Sequence, residues 1–317
     1  MVAWSKLFRG ASAGLLLLAA PALAQDLAAV TSQTADRLSL VDLSTLEVIA
    51  EADIPGAPAP VAYDPGHGRI FVIAADTGHL HVLGEDLAPL AERALGEGAF
   101  GLAATGDGGV FVTDWFGGRL LRLAPDLSEV WQAETGAAPA GVAVDAAAGL
   151  VATADRDSDA VSIFDMAGGR LLHRVATAGA HPFGITFAAG ALWTADVQGN
   201  RVSRIDPALG TLTGSLPTGS HPYAVAFAGG KGFVTNQYGG SVTIFDAASL
   251  DLLGEVDLGG YPEGIAALPD DSGVAVANWD SDTLTIIDAV TLEPRAELAM
   301  PAGPRAFGQF TGRRQSR

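Results

Sequence analysis

The stretch FVTNQYGGSVTIFD, Phe233 to Asp246, decides the fold. Two short apolar runs rich in β-branched and aromatic residues flank a Gly-Gly turn, the pattern of an antiparallel hairpin. The same arrangement recurs along the chain. A second apolar run ends in Asn or Asp at Asp114, Asp155, Asp196, Asn236 and Asn278. A turn rich in Gly and Asp follows, then a third run such as Val161 to Asp165 or Val242 to Asp246. Each hairpin is preceded by an opening run that usually begins with Pro: Pro58, Ala99, Pro139, Pro182, Pro222, Pro262 and Pro304. Successive starts lie 41, 40, 43, 40, 40 and 42 residues apart. A period near 40 with four short strands per unit is the signature of β-propeller blades.

The two ends of the chain predict how the ring closes. AVTSQTADRLSLVD, Ala29 to Asp42, aligns without a gap to Phe233–Asp246 but has no opening run before it. The last opening run, Arg305 to Phe310, has no blade of its own. It is expected to supply the innermost strand of the N-terminal blade, which removes a free sheet edge. The expected architecture is an all-β, seven-bladed β-propeller of four-stranded blades, forming one domain over 25–317, with 311–317 a disordered tail. The opening runs are built from Gly, Ala and Val, which suits strands that converge on a common axis. The Asp that ends most third strands (Asp42, Asp165, Asp206, Asp246, Asp288) is read as a turn residue bonding nearby backbone N–H groups.

The Phe233–Asp246 string closely resembles the repeat of the YVTN family of β-propellers, exported proteins that include the YncE-like group. The likeness extends over all seven units and is strongest in those opening at Pro182, Pro222 and Pro262. It implies an exported propeller that commonly serves as a binding or accessory component, and no shared catalytic set. The segment Leu192 to Asp206 also looks like the blade pattern of streptogramin lyases, although that family's catalytic His and acidic residues match no position here.

Residues 1–24 are expected to be a cleaved signal peptide: Lys6 and Arg9, an apolar run from Ala11 to Ala20, and the A-x-A site Ala22-Leu23-Ala24. No later run is long and apolar enough to span a membrane, so a periplasmic or secreted location is expected. The 317 residues carry 36 acids against 18 bases, a net charge of −18. Removal of Lys6 and Arg9 with residues 1–24 makes it −20, which argues against nucleic acid as a partner. With no Cys, disulfide scaffolds and thiol chemistry are excluded. The apolar content, 49%, excludes a disordered chain. Two motif matches carry nothing: Gly10–Gly14 fits G-x-S-x-G within the signal peptide, and Gly96–Gly101 fits G-x-G-x-x-G between two blades, with no helix after it.

In a propeller, the loops from fourth to first strands and from second to third strands open on one face. Chemistry there is concentrated in three successive blades: His181-Pro182-Phe183, His221-Pro222-Tyr223 and Tyr261-Pro262-Glu263, followed by Arg305 on the closing segment. The second-to-third-strand turns add Trp115, Arg156 and Trp279 as ligand-binding candidates, with Tyr238 on the same face. The expectation is a binding or accessory protein, acting as a monomer, that holds a small molecule or an exported partner protein at this mouth. The alternative is a propeller enzyme (a lyase, a lactonase-like hydrolase or a dehydrogenase heavy-chain-like subunit) with His181, His221 and Glu263 as acid–base residues. No cofactor is required by the sequence. His181 and His221 are a candidate metal pair, although no zinc-ligand spacing supports them.

Overall fold

The protein is described by a computed structural model over residues 25–315. The expected signal peptide, residues 1–24, and residues 316 and 317 lie outside the described residues. The described chain forms seven four-stranded antiparallel sheets and one short 3-10 turn, Arg156–Ser158. In blades 2 to 7, which open at Pro58, Ala99, Pro139, Pro182, Pro222 and Pro262, the strands are hydrogen-bonded in chain order. The first strands of successive blades pack against one another. Fourth strands are outermost, with alternate residues exposed and many of them acidic, as in Glu47–Asp53 and Glu129–Glu134. Such charges discourage pairing of the outer edges with other chains. The blades bury large side chains between their faces, among them Phe111, Phe164, Trp193, Phe233 and Phe245. Trp193 meets Phe227 and Phe245 at centroid distances of 4.9 and 5.5 Å. No helix among the described residues is long and apolar enough to cross a membrane.

The ring closes as expected, through the C-terminal segment, but with a different register. The strand that completes blade 1 is Thr311–Arg314, pairing antiparallel with the N-terminal strand from Gln25↔Arg314 to Ala28↔Thr311. Residues 311–314 are therefore a strand, which corrects the expected disordered tail. Charge explains the order: Arg313 donates to both carboxylate oxygens of Asp26, at 2.7 and 3.0 Å, and Arg314 donates to the Glu85 carbonyl at 2.6 Å. Residues 305–310 are stitched to both neighbouring blades. The Gly264 N–H donates to the Arg305 carbonyl, while the N–H groups of Val61 and Tyr63 donate to Phe307 and Gln309. The Arg305 N–H in turn bonds Thr31 of blade 1.

The scarcity of space near the axis explains the small residues of the opening strands. A Cβ on Gly101 would lie 2.2 Å from the Ala140 carbonyl oxygen, and one on Gly264 would lie 2.3 Å from the carbonyl oxygens of Arg305 and Ala306. Buried hydroxyls also join the blades. Thr31, Thr113 and Thr235 donate to the carbonyls of Ala59, Ala140 and Glu263 in the following blades, at 2.7–2.8 Å. The Asp at the end of the third strand works as expected: Asp206, Asp246 and Asp288 each accept two N–H bonds from the next turn.

The acid that ends the second strand has a different environment. Asp155 and Asp196 are fully buried. Asp196 accepts from Thr194 Oγ1 (2.7 Å), Ser203 Oγ (2.6 Å) and the Gly179 N–H (3.1 Å). Burial outweighs these bonds and pushes its pKa up to about 6; burial likewise raises that of Asp155. Two blades place Asn at this point and Thr where Ser203 stands: Asn236 donates to Thr243 Oγ1 and Asn278 to Thr285 Oγ1.

Because the folded state holds the Asp196 proton more tightly than the unfolded chain, this group stabilises most below pH 4, and that advantage is lost as pH rises to 6. The Asp196→Asn variant should lack this component: its unfolding free energy relative to the parent, from urea titrations, should rise between pH 4 and pH 6.5 by an amount on the order of 1–3 kcal/mol. A constant difference across that range would show that Asp196 is ionised throughout. A second comparison tests crowding. Gly78 and Gly118 hold the same turn position in successive blades, with φ of 63° and 60°. A Cβ on Gly78 would lie 1.9 Å from the Gly96 oxygen, whereas at Gly118 the nearest atom is 3.5 Å away. Gly118→Ala should cost about 1 kcal/mol, the left-handed penalty alone, and Gly78→Ala at least about 2 kcal/mol more in equilibrium unfolding.

Candidate functional site at the mouth of the ring

The residue before each opening Pro sits in the left-handed region: Ala57, Ala138, His181, His221 and Tyr261 have φ between 42° and 60°. Such backbone is costly for a side chain other than glycine, and two kinds of bond hold it. The N–H groups of Ala57, His181 and His221 donate to the side chains of Asp36, Asp159 and Asn200, all at 2.8 Å. The carbonyls of Ala138, His181, His221 and Tyr261 accept from the N–H groups of Arg156, Val197, Gln237 and Trp279. The loop entering a blade is thus tied to that blade's second-to-third-strand turn, which sets these pairs side by side around the mouth.

Immediately after the opening residue, the register of each first strand in blades 2 to 7 shifts. Such a bulge re-aims the next side chain. Phe100, Phe183 and Tyr223 occupy this place in blades 3, 5 and 6, and Phe307 on the closing segment meets all three. Phe307 lies 5.4 Å from Phe100, 5.1 Å from Phe183 and 5.5 Å from Tyr223, and Phe183 lies 4.7 Å from Tyr223. The rings stand tilted or edge-on, as aromatic pairs prefer. They form a plug in the central channel. Phe307 lines a cavity of about 340 Å³ on one side, between the inner strands. Phe100, Phe183 and Tyr223 floor a cavity of about 520 Å³ on the other side, at the mouth.

The mouth cavity brings together His221, Phe183, Tyr223, Arg305, Trp115 and Arg156 from the expected set. His181, Tyr261, Glu263 and Trp279 are not part of its lining. The sequence reading did not single out Phe100, Phe116, Gln198 or Gln237, which also line it. Phe116 and Tyr238 stand on the rim, 76% and 60% exposed. Phe100 carried a signal, since it occupies the same post-opening position as Phe183, but Ala99 replaces the Pro that marks the other blades. Phe307 carried none, because it is three residues past Pro304 rather than one.

Arg305 and Glu263 form a buried pair, with Arg305 Nε 2.7 Å from Glu263 Oε2. The guanidinium donates to Tyr223 Oη through Nε (3.1 Å) and Nη2 (2.9 Å), and to Gln33 Oε1 through Nη1 (2.9 Å). Gln237 Nε2 donates to Glu263 Oε1 at 2.5 Å. Burial raises the Glu263 carboxyl despite the opposing pull of Arg305. Burial likewise raises the Tyr223 phenol. Arg305 itself is held cationic, its loss of water outweighed by Tyr223 and Glu263. Glu263 is thus engaged from both sides, away from the cavity. His221 stacks on Tyr238 at 4.3 Å and its Nδ1 lies 2.9 Å from Ser220 Oγ. Arg156 lies over the Trp115 ring at 5.7 Å and pairs with Asp157. In the turn from Asp155 to Asp159, Asp155 is buried in its blade and Asp159 accepts from the His181 N–H. No group of three or more His, Asp or Glu residues that could hold a metal ion occurs among the described residues.

No protein-family model matches the chain, and no curated protein matches it in sequence. Solved structures resemble it. A functionally unknown protein from Desulfotomaculum acetoxidans superposes with a TM-score of 0.74 at 16% identity, covering 90% of this chain and 98% of that one. The dihydro-heme d1 dehydrogenase NirN, in complex with DHE, gives 0.67 at 15%, covering 88% and 74%. A catalytically inactive virginiamycin B lyase from Staphylococcus aureus, with quinupristin, gives 0.68 at 16%, covering 80% and 92%. These likenesses establish the fold: the chain is a seven-bladed β-propeller.

Proposed function

We propose that the protein is an exported binding propeller of YVTN type that holds a small ligand in the mouth of its ring. The observation that carries this reading is the cup of about 520 Å³, floored by the aromatic plug and walled by Trp115, Phe116, Tyr238 and two arginines. A concave, mostly apolar site with a few convergent polar groups is the usual form of a small-molecule pocket. Export rests on Lys6, Arg9 and the apolar run that ends at Ala24. The enzyme reading is weaker. Of the three acid–base candidates only His221 lines the cup, and Glu263 is committed to Arg305 and Gln237. A partner protein on the same face is favoured by one feature. Tyr238, Tyr261 and Trp279 continue from His221 as an arc of rings 5.6 and 6.4 Å apart, with Tyr261 40% exposed. Aromatic residues of this kind anchor interfaces.

Native mass spectrometry after incubation with a periplasmic extract of the producing organism tests these readings together. The expected result is a chain beginning at Gln25 that retains a small-molecule mass, lost in a Phe116→Ser/Tyr238→Ser variant of unchanged circular dichroism. Equal retention by the variant would place the ligand elsewhere. Retention of a polypeptide that depends on Tyr261 and Trp279 would favour the partner reading. Turnover of the retained compound that vanishes in His221→Ala would establish an enzyme.

A further inference from the structure

The polar groups of the mouth narrow the class of ligand, an inference that rests on the binding reading above. Two guanidiniums line the cup, and each already has a carboxylate: Glu263 lies against Arg305 and Asp157 against Arg156. The remaining charged lining residue is Glu97. Three carboxylates therefore stand against two cations, in a chain whose net charge is −18. An anionic ligand gains no net field there and meets the repulsion of like charges.

Hydrogen-bond capacity is unbalanced in the opposite sense. Arg305 commits three of its five N–H hydrogens, to Tyr223 and Gln33, and Arg156 commits one, to Asp157, among the described residues. Gln237 commits one of its two amide hydrogens, to Glu263. The donors left over have no protein acceptor, and the other surfaces on offer are ring faces: Phe100, Phe183 and Tyr223 below, Trp115, Phe116 and Tyr238 at the sides. Water can meet these donors in the open mouth, so a ligand that displaces that water must supply acceptors in its place. Exposed Phe116 and Tyr238 gain most by covering a flat apolar face.

We infer that the mouth accepts an uncharged, planar ring compound bearing carbonyl oxygens, its rings against the aromatic floor and its oxygens toward Arg305 and Arg156. Size is consistent with a two- or three-ring compound, since ligand pockets of about 300–1,000 Å³ hold drug-sized molecules.

The test is titration of the intact protein, followed by tryptophan fluorescence, with three probes of equal ring size: 1,4-naphthoquinone, 1-naphthoate and naphthalene. The chain has no cysteine, so the quinone meets no thiol. The quinone is expected to bind at least about ten-fold more tightly than naphthalene, the gain from charge-assisted hydrogen bonds, and more tightly than naphthoate. Quenching should be lost in Trp115→Phe/Phe116→Ser. Arg156→Gln should weaken the quinone severalfold while leaving naphthalene unchanged, and this variant leaves the buried Arg305 closure intact. Tighter binding of naphthoate than of the quinone would overturn the uncharged class while sustaining the mouth as a site. Equal binding of quinone and naphthalene would overturn the role of the donors. If none of the three binds, the planar-ring class is overturned; the binding reading itself fails only if native mass spectrometry also finds no retained small molecule.

Discussion

Seven first strands share one axis, and the room between their backbones there is smaller than a methyl group at several points. Most of the molecule's organisation follows from this crowding. It admits Gly101 and Gly264 where a Cβ would strike the next blade's carbonyls. It is relieved toward the mouth by a bulge in each first strand of blades 2 to 7, and the bulge turns one side chain per blade away from regular pairing. Where that side chain is Ala, as at Ala59 and Ala140, the wall stays thin; where it is Phe or Tyr, the channel fills. The plug is thus a product of the same geometry that demands glycine at the next residue, as at Phe100-Gly101 and Phe183-Gly184.

The repeat made the fold legible because crowding and turn chemistry leave marks that recur every 40 residues. The Pro of Pro182, Pro222 and Pro262, the Asp of Asp206, Asp246 and Asp288 and the small residues between them each report a local backbone requirement. The candidate site was legible in part for the same reason: Phe183, Tyr223 and Arg305 share a position in the repeat. What could not be read was direction. His181 and His221 both stand between a small residue and an opening Pro and share the left-handed backbone, yet only His221 reaches the lining of the cup. Glu263 shares the place of Phe183 and Tyr223, but its partner Arg305 is 42 residues away and draws it into a buried pair. The expected tail failed similarly, since Asp26, which orders Arg313, lies at the opposite end of the chain.

Polar groups inside the blades show two solutions to one problem. The end of the second strand is buried and must satisfy the backbone and hydroxyls around it. Blades 4 and 5 use an acid with Ser, whereas blades 6 and 7 use an amide with Thr. Both satisfy hydroxyl partners, but only the acid carries a proton that responds to pH. Glu263 belongs to neither scheme, being a buried carboxyl held by an arginine rather than by hydroxyls.

The closing segment has a consequence for the order in which the chain can fold. The strands from Gln25 to Asp53 are synthesised long before their innermost partner, Thr311–Arg314; Asp26 and Arg313 are 287 residues apart. Blade 1 therefore waits for that segment, and loop closure over that span places ring completion late and makes it slow. The same segment delivers Arg305 to the mouth and Phe307 to the plug. Neither the ring nor the cup is therefore finished until residues 305–314 are in place.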